Sequence, residues 1–401
     1  MEERGQLLPA HRPTSAMWSV GAYVLLLELV DALTYYGISQ GFKNFMQAKL
    51  GYSQVGASSL RSTWTSFCDI VPLASAYVAD EHLGRFRAIL LAGAWYVGGV
   101  CLLVIASHPV MLAEYNGVAN VCFLMAIFLG IGLGNGGFDS NVVALGADQF
   151  TGDEDAQQRF FSYFYLSMNI GSTVSYGYLA YLCVHGLAPI VPPEAGYFAT
   201  FAFCGVALVL ALGAFLKQSH RLIHTPPTPG ALTRTAALFA APALAPIVWG
   251  LGCFWLSFVL NFAAVFVDNA AMASTLTCAA AGCIVMGMSL WLRNATDKKV
   301  LASACLQLDP ALAMDLNQVL TILPFGVFQI VWNAVYDQLD ANFQSVTQQC
   351  DLRWDPNSGR HGAQVPGAML GVFDTLGVAL WIPLLDHIVH MTPYQNGLGH
   401  P

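Results

Sequence analysis

The sequence predicts an all-α integral membrane protein, a bundle of about ten membrane-crossing helices. Three observations carry this: 56% of the 401 residues are hydrophobic, only 10% are charged, and mean hydropathy is +0.56. A membrane-crossing helix needs roughly 20 predominantly apolar residues, and ten stretches meet that need. They lie near 17–40, 57–79, 88–107, 118–138, 160–183, 197–216, 246–267, 270–292, 318–338 and 366–388.

The first stretch follows a polar, proline-containing segment, Met1–Ala16, and is interrupted by Glu28 and Asp31 with no small-residue cleavage site, so it reads as a retained helix rather than a signal peptide. An even number of crossings puts both termini on the same side. The cytosol is the side indicated by the Lys/Arg distribution, eleven within cytosolic segments (Arg4, Arg12, Arg85, Arg87, Arg159, Lys217, Arg221, Arg234, Arg293, Lys298, Lys299) against five outside (Lys43, Lys49, Arg61, Arg353, Arg360). The net charge of −8 comes from scarce basic residues and acidic loops, and no basic patch suggests nucleic acid. The hydrophilic break Lys217–Arg234, with Pro226, Pro227, Pro229 and Gly230, leaves six helices before it and four after it. The expected organisation is a six-helix bundle at 1–217, a cytosolic linker at 218–245, an inserted helix pair at 246–293 and, at 294–401, a cytosolic loop with the first two helices of a second, partial bundle.

Ten cysteines are scattered, most of them within apolar helices, and show neither a disulfide framework nor metal spacing. His220 and His224 could share a helix face, but no third ligand stands close by. Gly132–Gly137 fits a dinucleotide fingerprint in spacing alone. It ends an apolar helix and follows no strand, so close helix packing is the expected use.

The acids inside apolar stretches, Glu28, Asp31, Asp69, Asp139, Asp337 and Asp374, are the functional candidates, because an ionisable group at membrane depth is costly and faces a bundle interior or a water-filled path. Glu28, Asp31 and Tyr35 are spaced to project from one helix face. Carboxyl groups close together in a low-dielectric wall are suited to exchanging protons. The bland reading is an acid satisfied by hydroxyl groups of neighbouring helices.

Several motifs in order resemble the proton-dependent oligopeptide transporter family, a branch of the major facilitator superfamily. They are Glu28-Leu-Val-Asp-Ala-Leu-Thr-Tyr-Tyr-Gly37 against E-x-x-E-R-F-x-Y-Y-G, Pro72–Arg85, Gly132–Phe150, Phe164–Ser172 against F-Y-x-x-I-N-x-G-S, Leu323-Pro324 with Val335–Gln338, and Phe373–Asp386. The resemblance implies a major-facilitator-type bundle and a secondary transporter of small peptides or related nitrogenous solutes, with no cofactor and with protons as the coupling ion. It implies proton coupling at Glu28 and Asp31, a substrate path including Tyr35, Tyr36 and Asn169, and a conformational loop at Asp80, Gly84, Arg85 and Arg87. The expected partners are a small-molecule substrate and the lipid bilayer.

The chain also departs from that pattern. The family's helix-1 arginine, thought to hold the substrate carboxylate, aligns with Ala32, and its helix-4 lysine and the helix-7 acid that pairs with it align with Asp139 and Asp337. Asp69 and Asp374 replace a tyrosine and an asparagine. Clustered carboxylates attract cations or stay partly protonated, so the expectation is an amine-bearing or cationic substrate, or a different coupling to protons. The chain reaches Pro401 without the four further helices of such a carrier, so it is expected to be a piece of a longer one. The other reading is a non-transporting pseudo-carrier acting as a scaffold or regulator. An enzyme is not expected, since Asp386, His387 and His390 lack an accompanying nucleophile or metal motif. Glu3–Leu8 resembles an acidic dileucine sorting signal, which leaves the plasma membrane or a vacuolar/lysosomal membrane as the expected site.

Overall fold

The computed structural model describes residues 20–227, 229–230, 240, 242–265, 267, 269–295, 310–338, 343–347, 349–353 and 364–391. The Glu3–Leu8 motif and the charges Arg4, Arg12, Arg234, Lys298, Lys299 and Arg360 lie outside these residues.

The first unit comprises α1 (Ala22–Ser39), α2 (Phe42–Lys49), α3 (Gln54–Val78), α4 (Arg85–Ala106), α5 (Pro109–Glu114), α6 (Asn116–Met125), α7 (Leu133–Asp148), α8 (Glu154–Val174), α9 (Ala180–His185) and α10 (Gly196–Gln218). α6 runs into α7, and α8 into α9, through the π-helical turns Ala126–Gly132 and Ser175–Leu179. α11 (Ala245–Val265), α12 (Ala270–Ala295), α13 (Pro310–Gln338), α14 (Gln344–Thr347) and α15 (Gly371–Met391) follow.

With α6 and α7 taken together, ten helices among the described residues have 18 residues or more, matching the ten expected stretches in order. Seven helical segments are long and apolar enough to cross a membrane by length and composition. The helices at Gln54–Val78, Glu154–Val174 and Pro310–Gln338 fall outside those seven. Two of them carry polar residues used inside the fold: α3 buries Arg61, and α8 buries Asn169 and Ser172. The helix expected at 118–138 extends to Asp148. Its polar tail stays helical because Asn141 Nδ2 donates to Ser75 Oγ (2.9 Å) and the Gly137 carbonyl (2.7 Å). Lys43 and Arg61, counted above among the outside charges, are buried, with only 1% and 7% of their surface exposed.

α1 packs on α8, α10 and α7, and α7 packs on α3 and α4. Two apolar clusters fill this bundle. One includes Leu33, Phe45, Trp64, Phe123 and Ile131; the other includes Leu27, Ile89, Phe138, Phe160 and Phe215. The seam between them crosses α1 between Leu27 and Leu33, and crosses between Ile131 of the π-helical turn and Phe138 of α7. α11 and α12 form a hairpin in which Trp291 Nε1 donates to the Ile247 carbonyl (3.1 Å). The hairpin touches α3 through α11 and α13 through α12, and α15 lies on α8.

Two indoles address the π-helical turn at Ala126–Gly132: Trp64 Nε1 donates to the Ile127 carbonyl at 2.7 Å and Trp95 Nε1 to the Leu129 carbonyl at 2.6 Å. A widened turn shifts the regular carbonyl pairing, and in lipid the freed oxygens need an internal donor. Within the same turn Gly130 meets Gly99 backbone to backbone, where a Cβ on either residue would overlap the other helix. Within the run Gly132–Gly137, Gly134 and Gly136 likewise leave no room for a Cβ against α4 and α3, the close helix packing expected of it. Gly130→Ala is expected to destabilise the solubilised protein by about 1–3 kcal/mol. Gly98→Ala, with nothing within 4 Å of the added methyl group, is expected to leave thermal unfolding unchanged.

Candidate functional site

The register of α7 builds the site. A side chain at Gly134 would collide with the backbone of Tyr96 on α4, and one at Gly136 with Val71 and the Cys68 carbonyl on α3. α7 is therefore seated against two neighbours on its glycine faces. Its remaining inward face, carrying Asn135 and Asp139 one turn apart, meets Glu28 and Asp31 of α1.

Carboxylate oxygens of Glu28, Asp31 and Asp139 all lie within 4.8 Å of one another. Asn135 Nδ2 donates to both Asp31 oxygens at 3.1 Å. Glu28 is 2% exposed and Asp31 4% exposed, whereas Asp139 is only half-buried. Glu28 Oε2 is buried without a hydrogen-bond partner. The three acids border a cavity of about 220 Å³, also lined by Tyr35, Tyr36 and Asp69, and among the described residues no Lys or Arg lines it. Each pair of like charges at this spacing repels by on the order of 3–4 kcal/mol at an effective dielectric near 20. The cluster therefore calls for positive charge in return, whether protons, an ammonium group or a metal ion.

The other candidates separate by position. Tyr35 stacks on Trp64 (ring centroids 5.4 Å apart) and meets Tyr36 edge-on (5.3 Å), so packing fixes both rings where they line the cavity. Ala32, aligned with the family's arginine, also lines it. Asp69 sits on the exposed side, within electrostatic range of Asp337 of α13. Asp139 and Asp337, paired by the resemblance, thus belong to different groups: Asp139 with the acids of α1, Asp337 opposite Asp69. Asp374 is exposed and accepts a hydrogen bond from Tyr336 Oη (3.0 Å). Asn169 does not line the cavity, because its Nδ2 donates to the Tyr165 carbonyl of its own helix (2.8 Å), while its neighbour Met168 reaches the wall. Sequence reasoning missed Asn135, whose only signal was its place one turn before Asp139. His220 and His224 each place a ring nitrogen near a backbone carbonyl, Lys217 and Ser219 respectively.

The loop candidates form a second cluster. Gly84, at φ +78°, turns the chain from the π-helical end Ala79–Leu83 into α4. Arg85 then bonds Asp80 (3.2 Å) and both oxygens of Asp148 (2.7 Å). Arg87 is exposed. The linker joins this cluster. Thr225 Oγ1 donates to Asp148 (2.9 Å), the Ile223 amide to Gln149 (2.8 Å) and the Gly230 amide to Glu81 (2.8 Å). Removing the guanidinium with Arg85→Gln is expected to change global stability by at most about 1 kcal/mol, as for partly exposed ion pairs. It should nevertheless accelerate proteolytic cleavage within 223–230, read by limited digestion and mass spectrometry.

A family model described as POT family (PTR2) matches residues 86–398. Protein NRT1/PTR FAMILY 8.1 of Arabidopsis thaliana is 24% identical over 95% of this chain, and NRT1/PTR FAMILY 8.3 of the same plant is 26% identical over 95%. The chain spans 66% and 64% of the lengths of these two relatives, respectively. Peptide transporter PTR_A of Candidozyma auris is 34% identical across 47% of the chain and 35% of its own length. In fold, the structure is similar to the POT family transporter PepTSo (TM-score 0.65, 19% identity, 95% of this chain and 71% of that one). It is also similar to tetrameric PepTSo2 (TM-score 0.62, 20% identity, 93% and 71%). The likeness extends to the major-facilitator-type helical bundle and supports an integral, multi-pass membrane protein.

Proposed function

Because the chain belongs to the POT family, we propose that it works as a proton-coupled secondary carrier of small peptides or related nitrogenous solutes, with its preference shifted toward amine-bearing, cationic ones. The observation that carries this reading is the acid-lined cavity without a Lys or Arg in its wall. Glu28 and Asp31, almost fully enclosed, are the proton-exchanging pair, and Asp139 shares their charge. Asp69 and Asp337, at the exposed side, attract the amine of an arriving solute, and the hydroxyl groups of Tyr35 and Tyr36 offer polar contacts along the wall. With Ala32 where the family has an arginine, this wall offers no guanidinium to clamp a substrate carboxylate. The charge asymmetry along the chain supports cytosolic termini and a cytosolic linker.

Uptake into proteoliposomes tests the reading. An inward pH gradient should drive accumulation of a cationic dipeptide or amine in preference to a neutral dipeptide. Asp69→Asn should lower apparent affinity for the cationic solute roughly ten-fold, equivalent to about 1.4 kcal/mol. Asp374→Asn, whose carboxylate already holds Tyr336 Oη, should change it little. Glu28→Gln should abolish gradient-driven accumulation while solute counterflow persists. Neutral-dipeptide uptake that ignores Asp139→Asn and Asp337→Asn would refute the cationic preference, and no flux of any solute would favour the non-transporting scaffold.

A further inference from the structure

We propose that Glu28, Asp31 and Asp139 form a binding site for a hard metal cation of calcium size. Three features point to it. The donors are all carboxylate oxygens, the set that hard cations select. They converge from two helices to within 4.8 Å of one another. Calcium accepts irregular sets of oxygens at about 2.3–2.6 Å, whereas magnesium demands a near-ideal octahedron at about 2.0–2.1 Å, so ligands held by two packed helices suit calcium better. The third feature is independent of the clustering: Glu28 is 2% exposed, and its Oε2 is buried without a hydrogen-bond partner. A buried carboxylate oxygen left without a donor is costly, and a bound cation supplies the missing interaction.

The surroundings suit the same ligand. Asn135 holds both oxygens of Asp31 through one amide nitrogen, which orients that carboxylate as outer groups orient metal ligands elsewhere. Asp139 is only half-buried and borders the cavity of about 220 Å³, which provides an entry path and room for water to complete the coordination. A divalent ion leaves one net negative charge among the three carboxylates, against three without it. This inference goes beyond the carrier reading but uses the same carboxylates, so calcium and protons compete for Glu28 and Asp31.

Equilibrium binding of radioactive calcium to the purified full chain in detergent tests the site. The expected result is saturable binding of one ion per chain, with sodium and magnesium competing at least ten-fold less effectively. Asp31→Asn and Asp139→Asn should each weaken binding at least ten-fold, whereas Asp155→Asn, on the exposed first turn of α8, should leave it unchanged. Melting curves without calcium identify any variant that has lost its fold. Terbium luminescence sensitised by Tyr35 and Trp64, which stack beside the cavity, then reads the site in the wild-type chain, and calcium should quench it by displacement. Absence of saturable binding, binding indifferent to Asp31→Asn and Asp139→Asn, or magnesium binding as tight as calcium would overturn the proposal. Proton-driven uptake without calcium binding would leave the carrier reading standing alone, and calcium binding without uptake would leave the cation site standing alone.

Discussion

The structure depends most on how closely α7 seats between α3 and α4. Gly134 and Gly136 let backbone meet backbone or the base of a side chain on two sides, and this fixes the rotation of the helix about its own axis. Once that rotation is set, Asn135 and Asp139 have one direction left, toward α1. Shifting α7 by one residue would carry Asp139 about 100° around the helix and away from Glu28 and Asp31. The carboxylate cluster is in this sense a product of glycine packing as much as of acid placement.

The same bundle shows how polar groups are accounted for where water is scarce. The carbonyls of Ile127 and Leu129, in the widened turn, receive indole donors. Ser175 Oγ ties α8's continuation to the Leu33 carbonyl of α1 at 2.7 Å, and Asn141 and Ser75 tie α7 to α3. Among the described residues three buried side-chain atoms lack a hydrogen-bond partner, Ser39 Oγ, Tyr96 Oη and Glu28 Oε2, and Glu28 Oε2, the carboxylate oxygen among them, lies at the seam where the two apolar clusters part. An open electrostatic demand there means that the charge state of the seam decides how tightly α1 and α7 are held together.

Much of this was legible in the sequence. Ten apolar runs gave the ten long helices in order, the glycine run announced close packing, and the acids at helical spacing announced a polar cavity. What could not be read had physical causes. Asp139–Asp148 looks too polar to continue a membrane helix until Ser75 is seen opposite Asn141. Lys43 and Arg61 count with the outside charges because a one-dimensional reading cannot see α2 and α3 burying them. Alignment alone put Asp139 with Asp337 and gave Asn169 and Asp374 to a substrate path. Side-chain geometry groups Asp139 with the acids of α1, turns Asn169 back onto its own helix and engages Asp374 with Tyr336. Asn135 escaped notice because an amide among glycines carries no signal until its acceptor is known.

The hydrogen bonds from Ile223, Thr225 and Gly230 to the ends of the first bundle bear on the mechanics of the connection between the halves. A connection fastened along part of its length leaves fewer residues between its last anchor and the next element. The entropy lost on closing a loop falls slowly as the loop shortens, so anchoring as far as Gly230 lowers the cost of bringing the following helices against the first bundle. It also raises their effective local concentration there. The linker thus works as a mooring with a set length of line, and Arg85, through Asp148, is one of its cleats.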